Sequence, residues 1–251
     1  RWLAYVVNRV DETSDLRIRS TSAADTAARM VPFGASPAFT GDSRWLVYRI
    51  GVPPAERERL EKEKKPIRNA AGVLDLAAGD TLRIDGIESF EISADGRFVA
   101  LRGYPAEGAP AGAADVLVRE LATGTTAHFG SVTGFAWADA GALLAMTVRS
   151  TGSVGNGVHL YDAGAGRLRV LDSSSDLYRG LAWRDDADDL VVLRAATSEA
   201  WSDTTHAVLA WRGLRTSSPT AERLAPDATG IADTLRISET RTPSWSDDGT
   251  T

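Results

Sequence analysis

Short apolar runs recur along this chain: Leu46-Val47-Tyr48, Phe98-Val99-Ala100-Leu101, Leu143-Leu144-Ala145-Met146 and Leu190-Val191-Val192-Leu193. Each run is continuous rather than alternating, which predicts a strand covered on both faces. Ahead of each lies a cluster of small and acidic residues, and ahead of that an aromatic or apolar residue. The fullest example is Ile92-Ser93-Ala94-Asp95-Gly96-Arg97 leading into Phe98. Others are Phe39-Thr40-Gly41-Asp42-Ser43-Arg44, Trp137-Ala138-Asp139-Ala140-Gly141-Ala142, and Trp183 followed by Asp185, Asp186, Asp188 and Asp189. Trp245-Ser246-Asp247-Asp248-Gly249 opens a fifth copy, and Arg1 to Tyr5 matches the second half of another. Asp-Gly supplies the two positive φ values of a tight turn, so each copy predicts a hairpin.

The first positions of the copies fall at 39, 92, 137, 183 and 245, a period of about 45 residues with insertions in two places. A second feature keeps the same phase: Leu74-Asp75-Leu76-Ala77-Ala78-Gly79, Arg119-Glu120-Leu121-Ala122-Thr123-Gly124 and Tyr161-Asp162-Ala163-Gly164-Ala165-Gly166. Each of these predicts the turn that closes the outer hairpin of the same unit. A unit of this length is one four-stranded antiparallel blade, so the pattern predicts an all-β chain, a β-propeller of about five repeat units. In the best-defined blade the strands are expected near 89–93, 97–103, 115–120 and 125–130. The aromatic of each signature is expected to wedge between adjacent blades. A sandwich with similar hairpins is the competing architecture.

The longest departure from the repeat is the insertion 52–71, rich in Glu, Lys and Arg between Pro54 and Pro66. Its composition predicts a short solvated helix, with Glu58–Lys62 and Glu61–Lys65 as helical ion pairs. A docking arm for a neighbouring domain or subunit is the alternative. Gly103 to Ala114 predicts a flexible loop at the equivalent place of the next blade. Trp201, outside the repeat phase, is a contact candidate in a polar loop, and the stretch from Arg212 to Arg236 predicts no clear strands.

Composition narrows the chemistry. Hydrophobic residues make up 43% and charged residues 25%, as in ordinary globular domains. The net charge of -6 argues against a nucleic-acid partner, which needs a basic face. The absence of cysteine excludes disulfides, thiolate nucleophiles and Cys-based metal sites. No apolar run has the length of a membrane span.

No catalytic constellation emerges. Gly130-Ser131-Val132-Thr133-Gly134 lacks the spacing of a nucleophile elbow. His128, His159 and His206 form no metal-ligand pair, and the first two fall in expected strands as packing residues. Asp185, Asp186, Asp188 and Asp189 read as a solvated turn rather than a calcium loop. The signature carboxylates belong to turns and not to a channel, against a glycosidase. The sequence therefore predicts no catalytic, cofactor-binding or metal-binding residue and no cofactor.

Trp245-Ser246-Asp247-Asp248-Gly249 and Ile92-Ser93-Ala94-Asp95-Gly96 resemble the Trp-Ser-x-Asp-Gly core of WD40-like repeats. Such repeats build TolB-type propellers and the N-terminal propellers of prolyl oligopeptidase-family serine peptidases, dipeptidyl peptidase IV among them. The order Arg44-Trp45-Leu46-Val47-Tyr48, the Pro-Pro-containing charged insertion, Gly72 to Gly79, then Ile87-Glu88-Ser89-Phe90 is similar to large bacterial members of the peptidase family. That resemblance implies a non-catalytic domain, residues 1–251, gating substrate access to a C-terminal α/β-hydrolase domain that is not in this sequence. Its implied partners are that domain and a peptide substrate, and its implied location is periplasmic or secreted. The alternative it leaves open is a TolB-like or WD40-like propeller that binds a protein partner with no attached peptidase. Both ends stop inside the signature, so the chain reads as a fragment of a larger propeller, a closed five-bladed ring being the other possibility.

Overall fold

Each apolar run folds as the second strand of an antiparallel meander. The computed structural model describes residues 2–10, 13–22, 28–152, 154–196, 204–231 and 235–246. Strands β1 (Trp2–Asn8), β2 (Ser14–Ser20) and β3 (Ala28–Pro32) form a three-stranded sheet. Strands β4 (Gly34–Phe39), β5 (Trp45–Ile50), β6 (Ala70–Asp75) and β7 (Thr81–Asp85) form a four-stranded one, with helix α1 (Pro54–Lys62) between β5 and β6. Next come β8 (Ile87–Ile92), β9 (Phe98–Gly103), β10 (Ala114–Glu120) and β11 (Thr126–Trp137), then β12 (Leu143–Val148), β13 (Asn156–Asp162) and β14 (Arg167–Ser174). These seven are hydrogen-bonded in sequence order, and the 12-residue β11 serves as outer strand of one meander and inner strand of the next. Finally β15 (Tyr178–Trp183), β16 (Leu190–Ala196), β17 (Thr205–Arg212) and β18 (Thr220–Leu224) make another four-stranded sheet. Repeated four-stranded meanders in strict sequence order are the blades of a β-propeller. The chain divides into two compact units, residues 1–104 with 116–127 and residues 105–115 with 128–251, and the division cuts both β10 and β11.

Burial explains why the second strands are apolar throughout. In the first unit Leu46 and Tyr48 of β5 join Leu16 and Ile18 of the preceding sheet in one buried cluster. Val47, between them, joins Val99 and Leu101 of the following sheet in another. Successive side chains of a strand point to opposite faces, so a strand between two blades must be apolar at every position. In the second unit Ala145, Val158 and Leu160 meet Leu190, Val192, Leu209 and Trp211 in the same way. β1 lies at an edge of its three-stranded sheet, with Leu3, Tyr5, Val6 and Val7 exposed.

The signature hairpin differs in detail from the Asp-Gly turn expected. One left-handed residue, not two, appears per turn: Ser43 (φ 58°), Gly96 (69°), Gly141 (65°) and Asp186 (53°). The second position does the rest. Buried Ser93 donates its hydroxyl to Asp95 Oδ1 at 2.7 Å and accepts the Phe98 N–H at 3.0 Å, while Asp95 Oδ1 accepts the Arg97 N–H at 3.0 Å. Thr40 and Asp42 repeat this with Trp45 and Arg44. The hydroxyl and the Arg44 N–H together hold the Asp42 carboxyl below the usual carboxylate range.

The aromatic wedge is present in the second unit. Trp183 donates its indole N–H to the Ala136 carbonyl at 3.0 Å, and Trp245 donates to Ala182 at 3.4 Å, each reaching the inner strand of the preceding blade. Helix α1 ends earlier than Pro66. Lys64 takes the left-handed conformation (φ 52°), the Lys65 N–H returns to Leu60 O and the Lys64 N–H to Glu61 O. This is a Schellman end with lysine where glycine is usual. Glu58 pairs with Lys62 at 3.9 Å, but Lys65 lies beyond the helix and pairs with Glu63 at 2.7 Å instead of Glu61.

Candidate functional site

The two ends of every blade are built differently, and the difference locates the candidate site. At one end the two sequence signatures are hydrogen-bonded to each other. A residue one or two positions after the third strand donates its N–H to a carbonyl one or two positions before the second strand: Leu76 to Arg44, Leu121 to Arg97, Ala163 to Ala142 and Leu214 to Asp188, at 2.9–3.0 Å. Side chains reinforce the junction. Asp75 Oδ1 accepts the Ala77 and Ala78 N–H groups, which with the Arg44 guanidinium hold its carboxyl below the usual range. Glu120 accepts from the Thr123 hydroxyl and Arg97, with the same effect. This end is short and carries the same backbone bond in the four four-stranded meanders, the last of them closing through Asp189 and Gly213.

At the other end the chain crosses from one blade to the next. The corner carbonyls of Phe33, Gly86, Ser131 and Leu177 accept the N–H groups of Gly51, Tyr104, Arg149 and Ala195, each pair eighteen residues apart. Phe33 (φ 58°), Gly86 (74°) and Ser131 (59°) turn the corner in the left-handed region. Ser131, the serine nearest to an elbow motif, is thus a blade corner. Just past each corner the inner strand carries a β-bulge: Ala35/Ala38, Ile87/Ser89, Val132/Gly134 and Arg179/Ala182. The loops between second and third strands open at this same end, and they differ completely in length and chemistry. One carries α1, none of whose residues is buried. The next, 104–113, is held at its two ends: the Tyr104 hydroxyl accepts Asn69 N–H groups at 2.9 and 3.1 Å, and Ala113 is buried. Trp201 and most of the loop before β17 lie outside the described residues.

In the second unit this end holds a cavity of about 560 Å³, lined by Ala111 and Gly112, by Thr133, Gly134 and Phe135 of β11, by Thr147 and Arg149, and by 177–181. That volume lies within the range of small-molecule sites. The bulges make the room. Gly180 is left-handed (φ 66°), where a Cβ would also meet Pro243 at 3.1 Å, and a Cβ on Gly134 would lie 3.2 Å from the Thr147 hydroxyl. Thr133 and Thr147 share a hydrogen bond of 2.8 Å on the cavity wall. Tyr178 is closed off by Asp172 (2.7 Å) and Ser174 (2.9 Å), and burial, with the Asp172 charge adding to it, pushes its phenol up to about 12. It stays a neutral donor. Sequence reasoning missed this site, because its glycines and threonines belong to no motif and its only signal is the bulge after each corner.

The other candidates lie apart from this cavity. His128 is exposed on β11. His159 is partly buried on β13, and burial holds its imidazole below the usual range. His206 is buried, with Nδ1 3.0 Å from the Ile237 carbonyl and Nε2 3.3 Å from Glu239. The acidic turn is only half solvated. Asp185 and Asp186 are exposed, but buried Asp189 accepts from Arg184 at 2.9 Å and from the Gly213 N–H at 2.8 Å, and Asp188 pairs with Arg215. Among the described residues no group of three or more histidines and carboxylates is placed to hold a metal ion, and no helix is long and apolar enough to cross a membrane.

No family model and no curated protein matches the sequence. Solved β-propellers resemble the structure at low identity. The β-propeller domain of the Trilobed protease from Pyrococcus furiosus aligns over 88% of this chain and 66% of its own, with 12% identity and a TM-score of 0.47. Pyrococcus horikoshii acylaminoacyl peptidase aligns over 82% and 36%, with 10% identity and a TM-score of 0.42. TolB from Acinetobacter baumannii aligns over 88% and 52%, with 16% identity and a TM-score of 0.39. The chain spans less than two thirds of the length of each.

Proposed function

We propose that this chain is the propeller portion of a serine oligopeptidase of the prolyl oligopeptidase type, without catalytic machinery of its own, and that it gates the access of peptides to an α/β-hydrolase domain of the same protein. One observation carries the reading: each blade is locked at one end and variable at the other. A domain that performs chemistry converges side chains on one point. Here the variable material is loops around open cavities, which suits a surface that meets a partner or screens what passes it. The order of signature and charged insertion, similar to that of bacterial peptidase propellers, selects the peptidase among such roles.

A second reading is a TolB-like propeller that binds a protein partner. It is favoured by α1, which projects nine residues without burying any. Translation of the reading frame beyond Thr251 separates the two. A Gly-x-Ser-x-Gly on a strand-turn-helix, followed by Asp and His, is expected, and hydrolysis by that protein should then fall steeply with peptide length. A stop codon without such a motif discards the peptidase and leaves the binding propeller.

A further inference from the structure

We infer that the cavity beside the bulges of β11 and β15 is a binding site for a monocarboxylate bearing a small apolar group. The inference does not rest on the peptidase reading. Among the described residues, two cationic side chains, Arg149 and Arg179, and no carboxylate line the cavity, in a chain whose net charge is -6. Their situations differ. Arg179 is neutralised by Glu239 at 3.0 Å. Arg149 is half-buried, and its guanidinium makes one long bond, Nη1 to the neutral Ala111 carbonyl at 3.4 Å. Among the described residues no acidic group pairs with it. A guanidinium carries five donors in a planar fork that matches a carboxylate, so most of its donor capacity is unspent.

The rest of the lining sets the size and polarity of the ligand. Phe135, Leu177 and Leu181 supply an apolar wall, and Thr133 and Thr147 supply hydroxyls. A carboxylate placed against Arg149 would set a short aliphatic group against that wall. A free short-chain acid and the carboxy-terminal residue of a peptide share this chemistry.

Calorimetric titration of the 251-residue chain with N-acetyl-alanyl-leucine, its carboxamide, and isovalerate tests the site. The acid peptide or isovalerate should bind in the micromolar to millimolar range, with the carboxamide about tenfold weaker or more. Tighter binding of the peptide identifies a chain terminus as the ligand, and equal or tighter binding of isovalerate identifies a free acid. Arg149→Gln should weaken the acid about tenfold, and Arg149→Lys should restore part of the loss. Circular dichroism melts matching the parent chain certify both variants as folded. Equal affinity for acid and carboxamide, an unchanged affinity in folded Arg149→Gln, or no binding of any probe at about 10 mM would overturn the inference.

Discussion

The hydroxyl of Ser93 is the smallest part on which a whole hairpin depends. It is buried, it donates to Asp95, and it accepts the Phe98 N–H. Ser93→Ala leaves that N–H without its partner and should cost about 1–3 kcal/mol, read as a lower urea midpoint with unchanged slope. A single imidazole sets a pH dependence. Because burial depresses His159 below its unfolded value, the unfolded chain binds more protons between the two values, so stability falls as pH drops below about 6.5. His159→Gln should flatten the difference in urea midpoint between about pH 7 and about pH 5.5. Asp42, Asp75 and Glu120, all depressed, add stability that is present above the unfolded carboxylate range of about 4 and lost as pH falls through their lower folded values.

Strands and turns show most clearly what a sequence discloses. The second strands were legible because neighbouring blades cover both faces, which leaves an unbroken apolar run in the text. The helix in the charged insertion was legible too, from Pro54 and the Glu–Lys spacing, but its end was not, since Lys64 adopts a backbone that no lysine advertises. Lys64→Gly should remove that strain and slow amide exchange in α1, by an amount equivalent to about 1 kcal/mol. Corners stayed hidden for a similar reason: Phe33, Gly86 and Ser131 share a dihedral angle and nothing chemical. β18, within the stretch from Arg212 to Arg236, was not legible because the turn before it lacks an Ala-x-Gly, and Asp189 from the preceding hairpin holds Gly213 instead. Within a strand, Gly72 lies under the buried Tyr48 ring, where a Cβ would come within 2.3 Å of Cε2. Gly72→Ala should therefore cost about 1–3 kcal/mol in chemical denaturation.

Blade contact is the interaction that joins these elements into larger units. Trp183 fills the space between two blades of the second unit and ties its indole N–H to Ala136. Trp183→Ala should cost about 3–5 kcal/mol, and Trp183→Phe, which keeps most of the packing and loses the hydrogen bond, distinctly less.

The constant interval of eighteen residues across each corner also says how this architecture can change. One residue inserted within that interval would turn every following side chain of the strand to the opposite face and empty two apolar clusters together. The loop beyond it is under no such constraint. Closing a loop of twice the length costs only about 0.6 kcal/mol, so that segment can lengthen, shorten or be replaced outright with little thermodynamic consequence. Selection for a new ligand or partner can thus act on one blade at a time, trading a charged helix for an alanine- and glycine-rich loop, while the interior of the sheet inherits none of the change.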